Sequence, residues 1–287
     1  MNKKSMLAKI GAIFISTMAV RVGIATATEA SHSQGAVSMA TVAAQPASVA
    51  LRELTKAVSG KLTEQQYFVL AKKAITDGYE YGIARSKSGH SVDIVTSKYF
   101  AVAGKCYSKA LELVQHRLAE GHAVSDADQA GAIARAAWWH FRSADASEYP
   151  KIALNLRKAV HLNPTEAIYW AMLAQATWWQ KKYPCEIQWA KAVKYLQHAI
   201  NLDPRCAVAY WMLGQLMISG PRYDVLGMKL PYDLKAASRY DKLCYAHRAN
   251  FNRFFFYYSE TRVRNEIWNV MEALGTVPPN SQPPEEK

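Results

Sequence analysis

The chain repeats itself at a fixed offset. The segment HLNP at 161–164 recurs as NLDP at 201–204, so that Pro204 corresponds to Pro164. The same offset carries the pair Trp138-Trp139 onto Trp178-Trp179. A constant period of this size is typical of stacked supersecondary units, each of which buries its apolar face against its neighbours. No other feature of the sequence restricts the possible folds as strongly.

The residues inside each unit predict helices joined as antiparallel hairpins. Proline cannot continue a helix but readily starts one, so Pro164 and Pro204 are expected at helix boundaries. Small residues at Ala159 and Ala199 allow two helices to approach closely. Larger residues of the preceding helix fill the spaces between hairpins.

This pattern resembles the tetratricopeptide repeat family. In that family a large residue is followed three positions later by Leu-Gly or Leu-Ala; here Trp170 precedes Leu173-Ala174, and Tyr210 precedes Leu213-Gly214. The resemblance implies an all-α fold, a TPR-like α-solenoid of antiparallel helical hairpins. It covers residues 125–250 well and residues 63–121 in part. The units are longer than the family's usual repeat because extra residues lie between their two helices.

The N-terminal region has the pattern of an export signal. Lys3, Lys4 and Lys9 precede an apolar run from Ile10 to Val20, and an A-x-A site occupies positions 25–27. We therefore predict a signal peptide over residues 1–27 and a periplasmic or secreted protein. A mitochondrial presequence is the alternative, because no acidic residue precedes Glu29.

The remaining organisation is predicted from caps and breakers. Residues 28–62 are expected to form a linker that contains a short helix over Ala50–Val58. Thr63 and Gln66 form a capping-box pattern that starts an N-terminal helical hairpin over residues 63–121, and Gly121 ends it. Residues 122–274 are expected to hold the repeats and a capping helix, and residues 275–287 a disordered Pro-rich tail. The aromatic run at 251–258 is expected under the cap or, alternatively, at a homodimer seam.

The sequence contains no pattern typical of catalysis. The eight histidines are scattered without metal-ligand spacing, and the four cysteines form no C-x-x-C pair. No motif places a nucleophile beside a base. We therefore predict no catalytic residue, no metal, no cofactor and no enzyme activity.

The cysteines also permit a prediction from helix length. A helix from about 186 to 201 separates Cys185 from Cys206 by roughly 24 Å. Disulfides need Cα atoms within about 7 Å, so this pair is expected to stay unbonded. Cys206 and Cys244 are better placed, at the start and near the end of one hairpin.

The net charge of +12 leaves two interpretations open. A basic chain can attract acidic partners, anionic lipid or nucleic acid, or its charges can simply form a solvated surface. No block of five like charges occurs, which favours the solvated surface and argues against nucleic acid. No apolar run long enough to span a bilayer follows the N-terminal region, so no transmembrane anchor is predicted after signal cleavage.

The resemblance implies that partner-binding residues lie on the first helix of each hairpin. Adjacent residues on a helix point about 100° apart, so one tryptophan of each pair is expected in the core and the other in a groove or against the inserted loops. The candidate binding residues are Arg135, Trp138, Trp139, Gln175, Trp178, Trp179, Trp211 and Gln215.

The predicted function is that of an exported, non-catalytic scaffold that binds a protein or peptide in the cell envelope. The family's carboxylate-clamp residues are missing, since Gly131, Ala171 and Trp211 occupy the first of the clamp positions. The alternative is a periplasmic solute-binding component that holds a small ligand in an aromatic cavity.

Overall fold

The computed structural model describes residues 40–87, 94–143, 146–180, 185–219, 233–253, 271–272 and 277. Over these residues it contains nine α-helices and no β-strand, which confirms the all-α class. The signal peptide, most of the capping helix and the tail lie outside the described residues, as do the side chains of the aromatic run at 251–258. These parts of the sequence analysis stay predictions.

The described residues divide into two compact units, with the boundary before the turn that leads into the fifth helix. Successive helices of the N-terminal unit pack on one another, and the first also contacts the third. These helices are α1 (Ala40–Val58), α2 (Glu64–Lys87), α3 (Ile94–Ala119) and α4 (Asp126–Ser143).

Local signals fix the start of α2 and the end of α3. The Thr63 backbone N–H donates to Gln66 Oε1 over 2.8 Å, and the Gln66 N–H donates to Thr63 Oγ1 over 3.3 Å, which confirms the capping box. At the end of α3, Gly121 has a φ of 81°, a conformation that glycine adopts without steric cost. It allows the His122 N–H to donate back to the Arg117 carbonyl over 2.9 Å and closes the helix.

Two glycines allow α3 to lie close to its neighbours. A Cβ at Gly78 of α2 would come within 2.8 Å of Tyr99 Cβ, and one at Gly104 would meet the α4 backbone at Trp139 at 3.4 Å. The α1 helix starts at Ala40, earlier than the predicted start at Ala50, because alanine favours helix strongly. Part of the predicted linker therefore belongs to the N-terminal unit.

The C-terminal unit holds the remaining helices. They are α5 (Tyr149–Leu162), α6 (Ala167–Trp179), α7 (Cys185–Leu202), α8 (Ala207–Ser219) and α9 (Leu234–Ala246). Each packs on the next, and α6 also packs on α8. Consequently α6 and α8 form one layer, while α5, α7 and α9 lie against it. Short 3₁₀ turns over Ala146–Glu148 and Arg248–Arg253 flank the helices.

The period seen in the sequence recurs in hydrogen bonds of this unit. Trp170 Nε1 donates to the Pro164 carbonyl over 2.8 Å, and one period later the Tyr210 hydroxyl donates to the Pro204 carbonyl over 3.1 Å. Each ring therefore ties the start of its helix to the preceding turn. Both prolines lie between two helices, as predicted.

Among the helices described here, none combines the length and apolar character needed to cross a bilayer.

Candidate functional site

The predicted binding residues fall into two groups, one in each unit. On α4, Trp138 is fully buried and Trp139 is 3% exposed. The Trp139 ring lies 5.5 Å from the Phe100 ring of α3, and the Trp138 ring lies 5.3 Å from Phe141. The two indoles point towards different neighbours, as expected, but both are covered by other side chains of the unit. This pair is therefore part of the core and presents no surface to a ligand.

Arg135, also on α4, is half-buried. Its guanidinium carbon lies 5.2 Å from the centre of the Phe68 ring of α2, a cation–π contact. Such a contact holds the side chain against the α2 surface. The structure thus gives Arg135 a packing role within the N-terminal unit.

The other five candidates lie on α6 and α8, which pack against each other. Both helices are apolar around nearly their whole circumference and are buried on most sides, as expected of central helices. Their predicted ligand residues are half-buried, and on each helix their spacing of three or four residues places them along one face of that helix. We call this set the Trp–Gln stripe: Gln175, Trp178, Trp179, Trp211 and Gln215.

Gln175 has an unused polar atom within the stripe. Its Oε1 is buried and accepts no hydrogen bond from any residue that the structure describes. On the same helix, Thr177 is fully buried and its Oγ1 likewise lacks a partner among those residues. Leaving a buried acceptor unsatisfied costs about 1–3 kcal/mol. Because this oxygen is covered by the protein, it offers no acceptor at the surface.

A second polar feature, which the sequence analysis missed, is Asp241 on α9. It is 1% exposed, and its Oδ2 has no hydrogen-bond partner within the described part of the chain. Burial raises the pKa of this carboxyl from 3.8 to about 7. The group can therefore exchange a proton near neutral pH although solvent barely reaches it.

Ring contacts show how α8 and α9 are aligned. The Tyr210 ring, near the start of α8, lies 6.5 Å from Tyr240 and 6.0 Å from His247, which follows the end of α9. Asn250 Nδ2, further along the chain, donates to the Arg205 carbonyl just before α8. The start of α8 therefore lies beside the end of α9, so the two helices are antiparallel.

This alignment brings two cysteines together. Cys206 precedes α8 and Cys244 lies in the last turn of α9; both are buried free thiols. Burial raises the pKa of Cys206 to about 11 and that of Cys244 well above its usual value. The charge of Asp241 and the neighbouring Cys206 contribute to the shift at Cys244. Asp241, Cys206 and Cys244 thus form one buried cluster in the last hairpin.

The spacing of small residues could have revealed Asp241 from the sequence. In α7, Ala192, Leu196 and Ala199 are buried core residues. In α9, Ala237, Asp241 and Cys244 have the same spacing and are buried as well. Asp241 therefore occupies the position of a core leucine. The signal was hidden because the longer third unit moves these residues out of the offset that relates the first two units.

The described residues contain no group of three His, Cys, Asp or Glu side chains that could hold a metal ion. Chemically, the Trp–Gln stripe offers apolar ring surface and amide hydrogen bonds, which suit binding. No protein-family model matches this chain, and no curated protein matches it.

Proposed function

We propose that this chain is an exported, non-catalytic scaffold of the tetratricopeptide type, which binds an extended segment of a protein partner along the Trp–Gln stripe. One observation carries the proposal. Two helices that pack on each other, α6 and α8, each carry half-buried tryptophan and glutamine along one face, with Gln175 and Gln215 separated by one period of the repeat.

The spacing of the two glutamines suits an extended chain. Packed helices have axes about 8–10 Å apart, and an extended chain rises about 3.3 Å per residue. Gln175 and Gln215 would therefore reach partner residues about three positions apart. Glutamine amides can donate to and accept from main-chain groups, and at Gln175, where Oε1 is buried, the amide would have to turn outward to accept. Trp178 and Trp211 supply apolar surface on which partner side chains pack.

Export is supported by the N-terminal pattern of three lysines, an apolar run and the A-x-A site. A bacterial host that carries the whole chain tests it. We expect the protein in the envelope or the medium with Thr28 as its first residue. Retention in the cytoplasm with an uncleaved N-terminus would refute export.

Site-specific photo-crosslinking tests the stripe. Benzoylphenylalanine replaces Gln215 on α8 or, as a matched control, the exposed Gln115 on α3, and the purified chain is irradiated in envelope extract. We expect a protein adduct from position 215, a weaker adduct when Trp211→Ala is added, and none from position 115. Equal labelling at both positions would contradict binding at the stripe.

The same experiment distinguishes binding of a protein partner from the alternative, binding of a small solute. A small ligand would leave position 215 without a protein adduct. It would instead appear as a low-mass species bound to the native chain in mass spectrometry, and Trp211→Ala would release it.

A further inference from the structure

The outer faces of α5, α7 and α9 carry a set of cations that the sequence shows only as scattered residues. All three helices pack on α6 or α8, so their exposed sides point away from that layer. Two lysines of each helix are exposed there. We call this set the basic face: Lys151 and Lys158 on α5, Lys191 and Lys194 on α7, Lys235 and Lys242 on α9. Arg157 and Arg239 are exposed on the same helices.

These charges are not neutralised by their neighbours. Among the described side chains of α5, α7 and α9, the only acid is Asp241, which is buried, while the exposed acids Glu148 and Asp233 lie just before α5 and α9. None of the six lysines forms an ion pair with any residue that the structure describes. Glu148 lies three residues before Lys151, whereas the other five lysines have no acid three or four residues away with which to pair along the helix. Here the positive potential is left free to attract an anionic partner.

Two large apolar residues interrupt the basic face. Leu154 is 50% exposed and lies one turn from both Lys151 and Lys158; Ile187 is 48% exposed and lies one turn before Lys191. Apolar side chains among lysines are typical of surfaces that lie on a membrane, where the apolar groups enter the headgroup region and the cations contact anionic lipids. A soluble polyanion would gain no binding energy from Leu154 and Ile187, because it has no apolar region to contact them.

We infer that the basic face docks on an anionic phospholipid surface, with Leu154 and Ile187 entering the bilayer interface. The chain then lies on the membrane without crossing it. The basic face and the Trp–Gln stripe belong to different helices, so membrane docking does not depend on the function proposed for the stripe.

Vesicle co-sedimentation of the whole chain tests this inference. The vesicles contain one part phosphatidylglycerol to two parts phosphatidylcholine, or phosphatidylcholine alone, at physiological ionic strength. Each lysine near an anionic membrane contributes about fivefold in affinity. We expect Lys158→Gln, Lys191→Gln and Lys235→Gln together to weaken binding to the anionic vesicles by about a hundredfold.

The matched control removes the same charge elsewhere. Lys56→Gln, Lys61→Gln and Lys105→Gln take three exposed lysines from the N-terminal unit and should leave binding nearly unchanged. All variants share residues 1–39, so any membrane affinity of that segment cancels in the comparison. Equal losses for the two triple variants would overturn the inference, because net charge alone would then explain binding.

The apolar residues separate lipid from a soluble polyanion. Leu154→Ser with Ile187→Ser should weaken vesicle binding by about tenfold or more and leave binding to heparin unchanged. Val69→Ser, at a residue of α2 that is 61% exposed, serves as the control. If the double variant binds vesicles as the parent does, while the lysine variant loses heparin and vesicles alike, the face binds polyanions and the membrane inference is wrong.

Discussion

The carboxyl group of Asp241 lies directly against Gly214: a Cβ added at Gly214 would come within 2.5 Å of Asp241 Oδ1. Helices α8 and α9 approach this closely because position 214 has no side chain. In the preceding unit the equivalent positions hold Ala174 and Leu196. The pair Gly214 and Asp241 therefore takes the place that the pair Ala174 and Leu196 has in the preceding unit.

Gly214→Ala should destabilise the C-terminal unit by about 1–3 kcal/mol, because the new methyl group overlaps the carboxylate. Urea unfolding followed by circular dichroism measures the loss. Adding Asp241→Leu recreates the pair found in the preceding unit and should recover part of it. If the change in unfolding free energy of the double variant equals the sum of the two single changes, the two positions are not coupled.

The buried carboxyl should make stability depend on pH. Its pKa rises from 3.8 to about 7 on folding, so the folded state holds its proton more tightly than the unfolded state. Its contribution to stability is then greatest below about pH 4, falls as the pH rises to about 7, and stays level above that value. The fall amounts to at most about 4 kcal/mol.

Asp241→Leu removes this dependence. The difference in unfolding free energy between that variant and the parent should grow between about pH 4 and 7 and then remain constant, which urea titrations at several pH values would show. A difference that stays constant over the whole range would mean that Asp241 does not titrate there.

The sequence predicted correctly those features of the fold that depend on neighbouring residues. The capping residues Thr63 and Gln66, the helix stop at Gly121 and the two prolines at 164 and 204 were predicted correctly, because each acts through neighbouring residues. Cores that form between distant segments were not visible. Trp138 and Trp139 are a pair in sequence, yet their burial depends on how α3 and the rest of the unit cover α4.

The third unit shows a different limit. Its longer connection breaks the register of the repeat, so the offset that works elsewhere maps Leu196 onto Ala236 and not onto Asp241. The matching spacing of buried residues in α7 and α9, together with the contact between α8 and α9, restores the correct alignment. The basic face was missed for a similar reason, because its lysines are far apart in sequence and belong to three separate helices.

The buried thiols should react slowly. Burial raises the pKa of Cys106 to about 12 and that of Cys206 to about 11, so almost no thiolate exists at neutral pH. We expect Ellman's reagent to leave Cys106, Cys206 and Cys244 unlabelled in the native chain and to label them promptly in denaturant. Peptide mapping identifies the labelled sites, and rapid native labelling of any of the three would contradict their burial.

Oxidation during refolding should join Cys206 to Cys244. Their thiols lie at adjoining ends of α8 and α9, whereas α7 separates Cys185 from Cys206. With glutathione disulfide as oxidant, two thiols become one disulfide and two glutathione molecules are released. Mass spectrometry of the tryptic peptides should find the 206–244 crosslink, which Cys206→Ser abolishes. A crosslink between Cys185 and Cys206 would contradict the helix boundaries.

Removing the hydrogen bond at either turn should have similar effects. Tyr210→Phe deletes the donor to the Pro204 carbonyl and Trp170→Phe deletes the donor to the Pro164 carbonyl. Loss of the bond should cost about 0.5–1.5 kcal/mol in each case, and Trp170→Phe also loses packing of the larger ring against Tyr195 and His198. Tyr195→Phe, on a ring that contacts Trp170, is the control and should cost less. If Tyr210→Phe leaves the unfolding free energy unchanged, the hydrogen bond to the Pro204 carbonyl does not stabilise the turn.

The two turns also show which chemistry the repeat keeps and which it varies. An indole in one copy and a phenol in the next reach the same carbonyl, one period apart. The turn therefore accepts either ring as long as the ring carries a donor of the right reach. The copies differ most in length between their two helices, away from these turns.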